Sequence, residues 1–310
     1  VSDHLVAAVE GYAPLMAKAP KVFNFFLRQP WLKEISKTHI GMVDLPLLSA
    51  PNLKQQLSGH PAMNMTLEQL EGLSAAERAN CVLVVQDPFT SFYEAQLVND
   101  FVRLIEKLGY RPVLLPFSPN GKAQHVKGFL QRFARTASRT ADFLNRVAKL
   151  GLPMVGVDPA TVLCYRDEYR QTLGESRGDF NVLLVHEWLE RALAERDVQA
   201  TGGESWYLFA HCTEVTALPS TPNQWQAIFS RFGAKLENIN VGCCGMAGTY
   251  GHESKNLENS LGIYALSWHP QLQRLPRQRC LATGYSCRSQ VKRVEGNGMR
   301  HPLQALLELM

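Results

Sequence analysis

From Cys81 onward, short apolar runs alternate with longer amphipathic stretches. That alternation predicts a parallel sheet covered by helices. Residues 81–85 (CVLVV) predict a buried strand. Residues 90–108 predict a helix with Phe92, Ala95, Val98, Val102 and Ile105 on its apolar face and Gly109 at its C′ position. A second strand is expected at 112–116, a long helical stretch at 122–150 and a third strand at 153–157. The same order then recurs. Residues 206–210 predict a strand, and Thr221 and Pro222 open a helix as N-cap and N1, with Trp225, Ile228, Phe229 and Phe232 on one face. Residues 238–241 predict a strand running into Cys243-Cys244-Gly245. A helical stretch to about 275 and a strand at 280–283 complete the pattern.

The strand ends repeat at a constant distance. Cys212 follows Asp87 by 125 residues, Cys243 follows Phe117 by 126, and Gly284 follows Asp158 by 126. Constant offsets of this kind mark a duplicated unit. The expected fold is therefore α/β, with two pseudo-repeated lobes, each a short parallel sheet flanked by helices. The lobes span residues 79–178 and 179–310, after a leading helical and extended segment over 1–78. The leading part has prolines at 14, 20, 30, 46, 51 and 61 and no sheet-forming pattern. Its aromatics Phe23, Phe25, Phe26 and Trp31 are expected to pack against a core.

Composition narrows the function classes. The chain has 310 residues, 45% hydrophobic and 19% charged, enough for one large core or two modest ones. A formal charge of +4 with scattered Lys and Arg is not the footprint of a nucleic-acid binder. No run reaches the ~18 apolar residues a spanning helix needs, and no signal peptide is present. The opening at Val1, without Met, reads as part of something longer. Neither Gly-x-Gly-x-x-Gly, a phosphate-binding loop ending in Lys-Ser/Thr, nor His-Glu-x-x-His occurs.

The chemistry-bearing residues gather at the strand ends of the second lobe. Sites in parallel α/β sheets form beyond the carboxyl ends of strands, and there stand Cys212, Cys243, Cys244 and Cys287. The seven cysteines, odd in number, argue for thiols and ligands rather than a disulfide framework. Four thiolates at one edge predict a metal site. The loop from Cys243 to Gly251 holds three glycines that turn backbone N–H groups toward sulfur, and helix N-termini are expected after Cys244 and Cys287. His211 and His252 flank these loops as outer donors or substitute ligands. Zinc and an iron–sulfur cluster both suit four thiolates; adjacent cysteines pointing apart favour a cluster. In the first lobe Asp87, Ser118 and Thr161 stand at the matching positions, and Asp87 and Asp158 are expected to cap their loops. Cys81, Cys164 and Cys280 read as core, His186 as a surface or helix-start residue, and Arg288 and Lys255 as solvated.

The pattern Cys212, Cys243-Cys244-Gly245 and Cys287 resembles the tandem CCG cysteine-rich domains of heterodisulfide reductase and of the glycolate oxidase iron–sulfur protein. The segments around His211-Cys212, Cys243–Gly251 and Tyr285–Gln290 resemble more specifically the large bacterial FAD-linked oxidases of D-2-hydroxyglutarate dehydrogenase type. The resemblance covers residues 80–310. It implies an electron-transfer region with an iron–sulfur cluster (4Fe-4S type), next to flavin (FAD) and ferredoxin-like domains of the same polypeptide. It also implies a quinone or other acceptor, and a cytoplasmic place at most peripheral to the inner membrane. Two departures stand out. Gly284 occupies the first position of a terminal Cys-x-x-Cys, and the first lobe has no ligand cysteines. The alternatives are a structural zinc and docking module, or a thiol–disulfide pair at Cys243 and Cys244. No turnover is expected of this chain alone.

Overall fold

Every residue of β1 (Cys81–Val85) is apolar and buried, as a strand covered on both faces requires. The structure, a computed structural model, describes residues 2–63, 65–194 and 203–310. In the first sheet β1 pairs in parallel with β2 (Arg111–Leu114) on one side and β3 (Met154–Gly156) on the other, and β3 pairs with β4 (Val182–Leu184). The second sheet repeats the arrangement. β5 (Ser205–Phe209) lies between β6 (Lys235–Asn238) and β7 (Cys280–Ala282), again all parallel. The chain is thus α/β with two short parallel sheets flanked by helices, as the pattern implied.

The leading segment holds α1 (Ser2–Ala7), α2 (Val9–Met16), α3 (Pro20–Leu27), α4 (Pro30–Ile35), α5 (Leu53–Gln56), α6 (Leu67–Glu71) and α7 (Ala75–Ala79). The first lobe carries α8 (Pro88–Tyr93), α9 (Ala95–Lys107), α10 (Lys122–Val126), α11 (Leu130–Ala148), α12 (Pro159–Arg166), α13 (Glu168–Leu173) and α14 (Val185–Ala194). The second carries α15 (Cys212–Ala217), α16 (Thr221–Arg231), α17 (Leu257–Arg274), α18 (Tyr285–Glu295) and α19 (Pro302–Leu309).

Each lobe ends by packing on the other. α14, after β4, lies against α16, and α19 lies against α9. One core therefore spans both sheets, from Val82 and Phe101 to Trp206, Leu236 and Leu306. Trp188 of α14 meets Phe101 and Tyr110 edge-on, and Trp225 of α16 meets His186 and His301. The fourth strand of the second lobe is reduced to one parallel bridge, Leu281 to Arg300, at the place where β4 stands in the first.

β4 and α14 lie beyond residue 178, and β4 hydrogen-bonds to β3, extending the first sheet. Several expectations are corrected. The helix expected over 90–108 breaks at Glu94, whose φ of −134° leaves the helical region. Glu94 turns to pair with Arg288, and the freed Ala95 N–H donates to Ser49 Oγ at 2.8 Å. The stretch 122–150 breaks at Gly128, with φ +76°. The strand before Cys243 lies earlier, at Lys235–Asn238, and residues 239–245 run on irregularly. Ser220, not Thr221, is the N-cap of α16.

The aromatics of the leading segment do not enter a core. In α3 only Pro20 and Asn24 are buried. The Asn24 amide holds the helix down by two 2.8 Å hydrogen bonds with the Leu48 backbone. That leaves Phe23, Phe25, Phe26 and, in α4, Trp31 on the surface.

Candidate metal centre at the edge of the second sheet

The three strands of the second sheet end on one edge, and each delivers cysteine there. Beyond β5, His211 is the N-cap of α15 and Cys212 its first residue. Beyond β6 the irregular loop brings Cys243 and Cys244. Beyond β7, Gly284 is the N-cap of α18 and Cys287 lies in its first turn. No helix starts directly after Cys244; residues 245–249 turn first, into a short 3-10 segment Tyr250–His252. The four sulfurs form a chain of contacts. Cys243 accepts hydrogen bonds from the thiols of Cys212 and Cys244, and Cys244 touches Cys287. Cys212, Cys243 and Cys244 line one cavity, and Cys287 lies beside Cys244. Among the described residues, no three or more His, Cys, Asp or Glu side chains are grouped so as to hold a metal ion. The sulfurs make a row, not a cage.

Charge is unevenly shared along the row. The thiols of Cys212 and Cys244 hold Cys243 far below the usual thiol range, and backbone N–H groups of Gly245 and Ala247 add to the effect. The Gly245 N–H donates to Cys243 Sγ at 3.3 Å. The same contacts push Cys212 and Cys244 upward, with burial adding. Cys212 is exposed, whereas Cys244 and Cys287 are buried.

The loop is held by parts that its sequence does not announce. Gly245 has φ +85°, and a Cβ there would lie 2.1 Å from the Ser260 carbonyl oxygen, so only glycine fits. Ser260 Oγ donates back to the Gly245 carbonyl at 2.7 Å, and Gln290 Nε2 donates to Ser260 Oγ at 3.0 Å. Ala247 takes φ +40°, a strained value for a residue with a side chain. On the other side, the His211 N–H donates to Thr283 Oγ1 at 2.9 Å, and Thr283 in turn donates to Glu214. The Gly-rich loop was the one legible signal for this support.

His211 explains the missing cysteine at 284. A Cβ on Gly284 would lie 2.2 Å from His211 Cδ2, so the imidazole fills the space a side chain would need. Its Nε2 lies 3.3 Å from Ser286 Oγ, while Nδ1 is buried without a partner among the described residues. Burial lowers its pKa. His252 has a different task. Its Nδ1 lies 3.1 Å from the Val43 carbonyl, and its own carbonyl accepts the Val43 N–H at 2.7 Å. Burial lowers its pKa to about 4. It clamps the leading segment over the loop.

The same edge of the first lobe is a hydrogen-bonded lid. Asp87 caps α8 by accepting the Phe89 and Thr90 N–H groups, and burial, then the charge of Asp158, raises its pKa to about 7. Ser118 Oγ pairs with Thr140 Oγ1 at 2.8 Å. Asp158 caps α12 through the Thr161 N–H, and its other oxygen accepts the Tyr285 N–H of α18 at 3.1 Å. Capping was expected of both aspartates; the bridge to the second lobe was not.

Other residues fall as follows. Cys81, Cys164 and Cys280 are buried, as expected. Lys255 is exposed and 3.4 Å from Glu253. Arg288 is not solvated: it is 2% exposed, pairs with Glu94, and donates to the Ala282 and Thr283 carbonyls. His186 does begin a helix, α14, but it is buried, not on the surface. It lies 3.5 Å from Glu214. Burial lowers His186 to about 4 and raises Glu214 to about 8, so the contact is between neutral groups. A cavity of about 380 Å³ opens beside the row, lined by Cys212, Cys243 and Cys244 on one side and by Phe89, Tyr93 and Tyr285 on another.

Fold and edge together define a class: a duplicated parallel α/β unit in which one copy presents a row of cysteines. Known relatives give this class a more particular setting. The chain is 87% identical over its whole length to part of a D-2-hydroxyglutarate dehydrogenase of Pantoea ananatis. It is 74% identical over 99% of its length to that of Escherichia coli, and 42% identical over 99% to that of Pseudomonas putida. In each case it spans about 30% of the relative's length. No protein-family profile matches the chain. Among solved structures, a hypothetical protein from Helicobacter pylori aligns over 84% of this chain and 48% of its own, with 10% identity and a TM-score of 0.42.

Proposed function

We propose that this chain is the electron-transfer region of a D-2-hydroxyglutarate dehydrogenase, an FAD-linked 2-hydroxy-acid oxidoreductase, and that Cys212, Cys243, Cys244 and Cys287 hold an iron–sulfur cluster. The observation that carries the reading is the convergence of Cys212, Cys243 and Cys244 on one cavity at a sheet edge, with Cys287 beside Cys244. The similarity to part of much longer dehydrogenases supports it. Four soft sulfurs suit thiolate-bound iron, and a row with one adjacent pair suits several metal atoms better than a single ion. Bound there, such a cluster supplies reversible one-electron transfer.

The chain's own residues prepare the place. The Gly245 and Ala247 N–H groups stabilise negative sulfur, and the Ser260–Gln290 pair fixes the loop. The buried His211 imidazole lines the same cavity. Phe89, Tyr93 and Tyr285 keep one side of the cavity apolar. Flavin and ferredoxin-like domains of the same polypeptide would supply the electrons, a quinone or other carrier would receive them, and the site of action is cytoplasmic. The second lobe does the electron chemistry and the first is its structural partner.

Anaerobic purification followed by iron, sulfide and zinc analysis and a visible spectrum tests the proposal. Iron and sulfide near stoichiometry, with a broad band that bleaches on dithionite, is the expected result. One zinc per chain and no visible band would replace it with a structural zinc site.

A further inference from the structure

α3 is built inside out. Its buried side is Pro20 and a hydrogen-bonded Asn24, while Val22 (55%), Phe25 (61%) and Phe26 (46%) stand in solvent. Trp31 (55%) and Ile35 of α4 and Leu15 of α2 extend the same exposed apolar surface. Scattered apolar residues on a surface mean little, but this many large side chains within twenty-one residues mark a contact face.

Charge identifies what it contacts. Lys18, Lys21, Arg28, Lys33 and Lys37 stand among these residues against a single acid, Glu34. That net +4 equals the formal charge of the whole chain, so the remainder is balanced. All five basic residues are exposed, and none makes an ion pair among the described residues. Aromatic and aliphatic side chains interleaved with free Lys and Arg suit an interface with anionic lipid, where the rings lie at headgroup depth and the cations meet phosphate. A groove of about 580 Å³ lies behind α4, between it and α18, where Arg28, Lys33, Lys37 and Lys292 outnumber Glu34, Asp44 and Glu94. Its walls include Tyr93, His252 and Tyr285, which also line the cavity beside the cysteines.

We propose that the α3–α4 face docks on the surface of an anionic lipid bilayer. Docked this way, the protein holds its cysteine cavity one layer of side chains from the groove behind α4. No helix among the described residues is long and apolar enough to cross a membrane, and none is required.

The test uses the whole polypeptide that carries this chain, purified without detergent. It is sedimented with vesicles of phosphatidylethanolamine and phosphatidylglycerol, and with vesicles of phosphatidylcholine alone. Binding to the anionic vesicles is expected to exceed binding to the neutral ones at least tenfold. Phe25→Ser with Phe26→Ser and Trp31→Ser should lower it at least tenfold, as should Lys18→Gln with Lys21→Gln, Arg28→Gln and Lys33→Gln. Both variants should melt at the wild-type temperature, because the replaced side chains are exposed. Cys244→Ser should bind vesicles as wild type does, which separates this proposal from the assignment of the cysteines. Absence of binding, or binding unchanged in both sets of variants, overturns it. A lowered melting temperature in the apolar variant without vesicle binding also overturns it, and assigns the face to another part of the polypeptide.

Discussion

The two lobes have one topology and opposite chemistry. In both, a central strand is flanked in parallel by the next two, and the three carboxyl ends meet on one edge. In the first lobe that edge is closed by Asp87, Ser118 and Asp158, each spending its oxygens on helix N-termini or a neighbouring hydroxyl. In the second, Cys212 and Cys244 stand where Asp87 and Ser118 do, while Gly284 takes the place of Asp158 and Cys287 that of Thr161, with no side-chain cap on α15 or α18. A capping carboxylate and a thiolate are two answers to one problem: the exposed N–H groups at a helix start favour negative charge. The crossed packing of α14 on α16 and of α19 on α9 makes each copy depend on the other.

The sharpest way to break the comparison is to remove sulfur from the second edge. Cys244→Ser or Cys287→Ser should abolish stoichiometric metal retention, read by metal analysis of anaerobically purified protein, whereas Ser118→Ala in the first lobe should leave it unchanged. The next largest effect concerns the shared core. Trp225→Ala should cost about 3–5 kcal/mol, and denaturant unfolding should show both lobes lost in one transition. Two separate transitions would mean that the lobes are independent.

Glu10 sharpens the comparison from the first-lobe side. Its carboxylate oxygens accept the Asn120 and Gly121 N–H groups, each at 2.7 Å, in the loop that corresponds to the Cys243 loop. Burial outweighs these donors and raises its pKa from 4.5 to about 7. The folded protein therefore holds this proton at pH values where the unfolded chain has released it. Stability should fall as pH rises from about 4.5 to about 7, by about 3 kcal/mol from this group, and then level off. Glu10→Gln should remove that slope in urea melts across the range. The smallest effect is at Gly284. Gly284→Ala should cost about 1–3 kcal/mol through overpacking against His211, and His211→Ala in the same chain should recover much of it in thermal melts.

Much of this was legible from the pattern of residues. Constant spacing between Asp87 and Cys212, and between Asp158 and Gly284, located the duplicated edges, because strand ends in a repeat keep their distance in sequence. Cys212, Cys243 and Cys244 line one cavity beyond those ends. What escaped depends on contacts distant in the chain. Glu94 breaks a helix that its local sequence supports, because it pairs with Arg288, 194 residues away. β4 is three residues long and reads as part of the helix after it. His186 looks polar and exposed by composition, yet neutral imidazole is buried against Trp225. The exclusion between His211 and Gly284 is steric, and only coordinates reveal it.

The most direct test of the central claim is a potentiometric titration of the anaerobic protein, followed by visible absorbance or electron paramagnetic resonance. The account predicts a reversible one-electron transition that persists in Ser118→Ala and vanishes in Cys244→Ser. A protein without such a transition, or one whose transition survives Cys244→Ser, would contradict it.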